Sequence, residues 1–61
     1  MNIDLRESVI AITGAGSGIG RCLAIECAKQ GSHVAISDIN LQNLMETHDE
    51  IKIEYPQTRV F

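Results

Sequence analysis

The apolar positions of this chain follow two different spacings in turn. Ser8 to Thr13, SVIAIT, is apolar nearly throughout and rich in β-branched residues, as a strand buried on both faces of a parallel sheet would be. From Ile19 the period lengthens. Ile19, Leu23, Ala24, Cys27 and Ala28 recur at helical spacing, and Arg21, Glu26, Lys29 and Gln30 fall mostly on the other side. Gly31 stops this helix. His33 to Ile39, HVAISDI, predicts a second strand. Leu41, Leu44, Met45, His48 and Ile51 then mark a second amphipathic helix. Asp38 or Asn40 can cap it, and it must end before Pro56. The alternation of Ile51, Lys52 and Ile53 is too short to outweigh the helical period. The closing TRVF opens a third strand.

The resulting order is β-α-β-α-β, without an internal repeat, linker or low-complexity stretch. Strands that alternate with helices of this length imply an α/β fold with parallel pairing and right-handed crossovers. The pattern is one mononucleotide-binding half of a doubly wound, Rossmann-type sheet, and it stops inside its third strand. We therefore expect residues 1–61 to form the N-terminal portion of a single dinucleotide-binding domain, incomplete even as a half.

Composition narrows this only a little. The chain has 61 residues, 44% hydrophobic and 21% charged, which is globular rather than disordered. With one Phe, one Tyr and no Trp, its core must be aliphatic. A net charge of −3 argues against nucleic acid and anionic membrane as partners. No apolar run approaches the ~20 residues that cross a membrane, and MNIDLRES lacks a signal-peptide pattern. Cys22 and Cys27 would stand about 140° apart on a helix, so they cannot bridge. With His33 they make too small a ligand set for zinc. Free thiols fit a reducing, cytoplasmic setting.

The chemistry is concentrated at residues 13 to 20, TGAGSGIG, which hold four of the five glycines. They join the first strand to the first helix, whose opening N–H groups lack intrahelical partners and carry partial positive charge. A diphosphate can settle there if no Cβ obstructs it. Gly14 is expected to make the tight turn and Gly18 to admit the diphosphate. Gly20 would let the helix pack closely on the strand, and Gly16 would add room. Ser17 can offer its hydroxyl to a phosphate oxygen, and the Ile19 backbone can hold the group. The spacing is Thr13-Gly14-x-x-x-Gly18-x-Gly20, neither the strict G-x-G-x-x-G fingerprint nor a Walker loop. Arg21, just beyond, is expected to face solvent or an acid, with approach to a phosphate as the alternative.

Asp38 stands eighteen residues after Gly20, at the end of the second strand. An acid there can accept hydrogen bonds from both ribose hydroxyls of an adenosine. A 2′-phosphate in its place would meet an unbalanced carboxylate, a repulsion of about 1 kcal/mol at ~4 Å in water and several times that in a partly dry pocket. Neither Ser17 nor Ile39, which flank the expected ribose, is basic. The sequence thus favours NAD over NADP. The competing role for Asp38 is to cap the following helix.

TGAGSGIG after VIAI, together with VAISDI and its acid, resembles the N-terminus of the short-chain dehydrogenase/reductase family. The likeness covers residues 8 to 61, and the family motif TGxxxGxG is matched at Thr13, Gly14, Gly18 and Gly20. More loosely, GIGR and SDIN are similar to the branch that acts on steroids and retinoids. The resemblance implies a homo-oligomeric parent that passes hydride between a nicotinamide cofactor and an alcohol or carbonyl substrate. It makes Thr13 mainly structural and Asp38 a mark of NAD preference. NADP-preferring relatives often carry Arg or Lys where Ser17 stands, or just after the acid.

The family's chemistry also needs a YxxxK pair with an upstream Ser. Here Tyr55 is followed four residues later by Arg59, and Pro56 prevents a shared helix face. Tyr55 reads as a packing residue, and His33 and His48 as structural or surface residues. No catalytic residue is expected in this chain, which alone should be inactive. Two alternatives to a segment of an oxidoreductase are a non-catalytic NAD-binding module and an inactive truncated product. A sheet this small should also leave apolar surface exposed and fold marginally, if at all, by itself.

Overall fold

The computed structural model describes residues 8–61. Residues 1–7, most of the stretch read above for a signal peptide, lie outside the described residues. Four elements follow in order: β1 (Val9–Thr13), α1 (Gly18–Lys29), β2 (His33–Ser37) and α2 (Leu41–Glu54). β1 and β2 pair in parallel, Val9 opposite His33 through Thr13 opposite Ser37. Beyond β2, on the side away from β1, Val60 forms a parallel bridge to Val34. Val34 N–H donates to the Arg59 carbonyl at 3.0 Å, and Phe61 N–H returns to the Val34 carbonyl at 2.9 Å. The third strand is present as this first bridge. The fold is the expected α/β arrangement, a parallel sheet of two strands with helices, matching part of a Rossmann-type domain.

The register decides which strand residues are covered. Ile12 and Val34 are buried, and Ile10 and Ile36 pack against them beneath the helices. Val9, Ala11, Thr13 and Ser37 point the other way and are exposed. Both helices therefore lie on one face of the sheet, and the strands, apolar on both faces, are buried on one only.

The helices meet the sheet through smaller surfaces than their periodicity implied. α1 buries Ala24, Cys27 and Ala28, whose short side chains bring its axis close to the strands. Ile19 and Leu23, expected on the same stripe, are 86% and 50% exposed. α2 buries Thr47 and Ile51. Leu41 and Met45 stand outside, and Met45 lines an apolar hollow with Ile36, Leu44, His48, Val60 and Phe61. Its inner face is thus rotated about one position from the apolar stripe, because a polar residue, Thr47, occupies its centre.

Several expected boundaries move by a residue or two. β2 ends at Ser37, before Asp38 and Ile39, because the chain bends there. Asn40 rather than Asp38 caps α2, its side-chain oxygen accepting from Asn43 N–H at 3.0 Å. Past α2, Lys52 Nζ donates to the carbonyls of Pro56 at 3.0 Å and Thr58 at 2.7 Å. Arg59 N–H donates to His33 Nδ1 at 2.9 Å. Among the described residues no buried side-chain nitrogen or oxygen lacks a hydrogen-bond partner. No helix among them is long and apolar enough to cross a membrane.

Candidate functional site

The segment from Gly14 to Ser17 passes from the end of β1 into α1, and its backbone is held from three sides. Ala15 N–H donates to the Ser37 carbonyl at 3.0 Å, tying the loop to the end of β2. The Ala15 carbonyl accepts from the Thr47 hydroxyl of α2 at 2.8 Å. Gly16 N–H donates to Asp38 Oδ2 at 2.8 Å, and the Gly16 carbonyl accepts from Arg21 Nη2 at 2.8 Å. All four backbone groups of two successive residues are thereby paired outside the loop.

The glycines differ in why they are glycine. Gly14 and Gly18 have φ of +66° and +58°, and no atom lies within 4 Å of where a Cβ would stand. Their requirement is conformational, and the space beside them is open. Gly16 has no room to spare: a Cβ there would come within 2.8 Å of Asp38 Oδ2 and 2.9 Å of Asn43 Cβ. The expectation that Gly16 adds room beside a ligand is thus corrected. It lets the loop seat against Asp38 and α2. At Gly20 a Cβ would overlap the Gly14 carbonyl oxygen and sit 3.1 Å from Ala15 Cα, so this residue packs α1 against the loop rather than the strand proper.

Asp38 holds the other side. Its Oδ1 accepts from Asn40 N–H at 2.9 Å while Oδ2 accepts from Gly16 N–H. The Asn40 and Gly16 amides pull the carboxyl below the ordinary aspartate range, against a small opposing effect of burial. It is ionised at neutral pH. A carboxylate has about four lone-pair sites, and these two bonds leave acceptor capacity toward solvent. Thr13, Gly14, Ser37, Asp38 and Ile39 line an open hollow of about 350 Å³. Ile39 at its rim is fully exposed, at 103%.

The start of α1 is also free of internal competition. Ser17 is its N-cap, with extended backbone, yet its side chain makes no capping hydrogen bond, and the first turn carries no acid. The opening N–H groups and the Ser17 hydroxyl are thus at the disposal of an anion. This donor set fits a dinucleotide: positive helix end, uncapped serine, open glycine positions and, tied to the loop through the Gly16 amide, an ionised acid.

A family profile described as "short chain dehydrogenase" matches residues 8–61. The chain belongs to that family. Cyclohexanol dehydrogenase of Acinetobacter sp. (strain SE19) is 47% identical over 51 residues, 84% of this chain and 20% of that protein. A short-chain dehydrogenase/reductase of Burkholderia phymatum, solved with NAD, superposes with TM-score 0.88 at 30% identity over 98% of this chain and 21% of its own. L-sorbose reductase of Gluconobacter frateurii, solved with NADPH and L-sorbose, gives TM-score 0.87 at 31% identity over 97% and 23%. The chain therefore spans about a fifth of the length of these relatives.

Within this short-chain dehydrogenase framework the structure brings Gly14, Gly16, Ser17, Gly18, Gly20 and Asp38 into one locality. Ile19 and Ile39 stand exposed at its edges. Two residues of the site carry roles that the sequence reading missed. Arg21 turns back toward the loop, where Nε donates to Thr47 Oγ1 at 2.9 Å and Nη2 also reaches the Asn43 carbonyl at 3.2 Å. Its other neighbour is Glu46, at 3.7 Å. Thr47, fully buried, had no role assigned from the sequence. In sequence it stands between Glu46 and His48, and its spacing of three and four residues from Leu44 and Ile51 was the available signal.

Tyr55 is the C-cap of α2, its N–H donating to the Ile51 carbonyl at 2.7 Å, and its ring packs on the core. Cys22 is exposed and Cys27 buried, both free. Among the described residues no His, Cys, Asp and Glu gather as a metal site.

Proposed function

We propose that this chain is the N-terminal, NAD-binding part of a dehydrogenase that interconverts an alcohol and a carbonyl compound. The observation that carries the reading is Asp38, ionised and fixed by two backbone amides, one of them in the glycine loop that leads into the uncapped start of α1. Gly14, Gly18 and Gly20 let the loop take its shape. Ser17 and the backbone at Ile19 would hold the diphosphate, while Gly16 seats Asp38, which would hold the adenosine ribose. Ile39 would give the adjoining base an apolar side. When bound, the nicotinamide would supply the hydride acceptor or donor.

Preference for NAD rests on charge. Among the described residues Asp38 has no cation beside it, and Arg21, the nearest basic residue of the loop, is committed to carbonyls, Thr47 and Glu46. A 2′-phosphate would meet the carboxylate unopposed. Tyr55 lies at the far end of α2, and no proton-transferring pair accompanies it. On this reading residues 1–61 bind and orient the cofactor, and the groups that activate the substrate belong to other parts of a homo-oligomeric cytoplasmic parent. The chain by itself then turns over no substrate.

Calorimetric titration with NAD and with NADP, with circular dichroism on the same samples, tests the reading. The expected result is saturable NAD binding, tighter than NADP, and weakened roughly tenfold or more by Asp38→Ala, the scale of lost hydrogen bonds to a charged group. Tighter binding of NADP would overturn the role given to Asp38. A folded chain that binds neither cofactor would overturn the dinucleotide reading.

A further inference from the structure

The planar trans peptide sends each carbonyl and the following N–H in opposite directions. The peptide between Ala15 and Gly16 obeys this visibly: its carbonyl meets the Thr47 hydroxyl, and its N–H meets Asp38 Oδ2 on the far side. The next peptide begins with the Gly16 carbonyl on the Arg21 guanidinium. The Ser17 N–H must then face away from the Gly16 carbonyl and Arg21. Thr47 in turn accepts from Arg21 Nε. Guanidinium, hydroxyl and three carbonyls, those of Ala15, Gly16 and Asn43, form one connected set between α1, α2 and the loop.

We infer that Arg21 and Thr47 are positioning residues for the cofactor's diphosphate. Together they fix the planes of the two peptides that aim Gly16 N–H at the ribose-binding acid and Ser17 N–H at the diphosphate. The inference rests on the dinucleotide-binding reading and adds a role for two residues that need touch no part of the cofactor. Arg21 acts here through its shape. Its Nε and Nη2 serve three acceptors held in a fixed fork, which a lysine ammonium cannot reproduce. Thr47 acts by donating to Ala15 while accepting from Arg21, and valine has the same form without either capacity.

Calorimetry of the full chain with NAD, ADP and adenosine tests this, for the wild type and for Arg21→Ala, Arg21→Lys, Thr47→Val and Thr47→Ser. The expected pattern has NAD and ADP weakened about tenfold or more in Arg21→Ala and Thr47→Val, with adenosine, which depends on Asp38 and not on the Ser17 N–H, weakened clearly less. Thr47→Ser restores the wild-type values and Arg21→Lys does not. Arg21→Lys equal to wild type would show that charge alone matters and overturn the positioning role. So would an equal loss for all three ligands, or no loss for any. If Arg21→Ala does not fold by circular dichroism, the Thr47 pair decides. A wild-type chain that binds none of the three refutes the dinucleotide reading itself. The amide exchange rate of Gly16 then decides the clamp alone: faster exchange in Thr47→Val supports it, and unchanged exchange overturns it.

Discussion

Gly16→Ala isolates the contact on which the site is built. The added methyl would stand 2.8 Å from Asp38 Oδ2 and 2.9 Å from Asn43 Cβ. Ordinary carbon contacts are about 3.5–4.0 Å, so loop and helix must part by roughly 0.6–1 Å. Little can yield, because Ala15 and Gly16 are tied to Ser37, Thr47, Asp38 and Arg21. Overpacking of this kind costs about 1–3 kcal/mol, and losing the amide bond to a carboxylate costs about 1.5–3 kcal/mol. The two are alternatives rather than a sum: the loop either stays and is strained, or moves and releases Asp38. The expected total is therefore ~2 kcal/mol, divided between fold stability and NAD affinity. Taken wholly in affinity it is roughly a thirtyfold weakening. Urea unfolding followed by circular dichroism measures the first part and calorimetry the second. Gly14→Ala is the control, since its space is open and its φ is +66°. Its cost of about 1–2 kcal/mol is conformational and leaves Asp38 in place. A Gly16→Ala chain with wild-type stability and wild-type affinity would refute the reasoning.

Asp38 gives a pH dependence with a definite sign. Its folded pKa is depressed by the Asn40 and Gly16 amides, so its stabilising contribution is present above the unfolded value of about 3.9 and disappears as pH falls through the folded one. Asp38→Asn should flatten the acid limb of the unfolding curve, and an identical limb in both chains would contradict this. The two thiols should react separately. Cys22 is exposed, whereas burial and then the Glu26 charge push the Cys27 thiol up, so alkylation with mass spectrometry should find one modified cysteine in the folded chain and two in denaturant. Ile51, fully buried in the last turn of α2, should lose about 2–5 kcal/mol as alanine, enough in so small a fold to abolish a cooperative urea transition.

The order of elements was legible because two spacings, continuous apolar runs and a 3.6-residue period, alternate cleanly. The site was legible because glycines and an acid sit at the ends of those elements. What escaped depends on contacts between elements. Ile19 and Leu23 obey the helical period, yet Ala24 and Ala28 face the sheet, and nothing in the period distinguishes two adjacent apolar stripes. Nothing within the stretch METHDE marks Thr47 as buried, and its partner, the Ala15 carbonyl, lies 32 residues away. The acid expected beside Arg21 is present as Glu46 at 3.7 Å, but the backbone carbonyls that the guanidinium also serves leave no mark in the sequence. Gly16 looked like empty space because its role is defined by Asp38, 22 positions further on.

The Lys52 ammonium, clasping the carbonyls of Pro56 and Thr58, works as a ruler for the strand that follows. Side chains alternate faces with every residue of a strand, so a slip of one position would send Val60 to the bare side of the sheet and Phe61 beneath α2. By fixing the length of chain between the end of α2 and Arg59, and with His33 Nδ1 receiving the Arg59 amide, this end of the molecule sets the phase of the sheet's growth away from β1. The glycine end decides what is bound. The opposite end keeps count, so that the strand begun at Val60 enters in step.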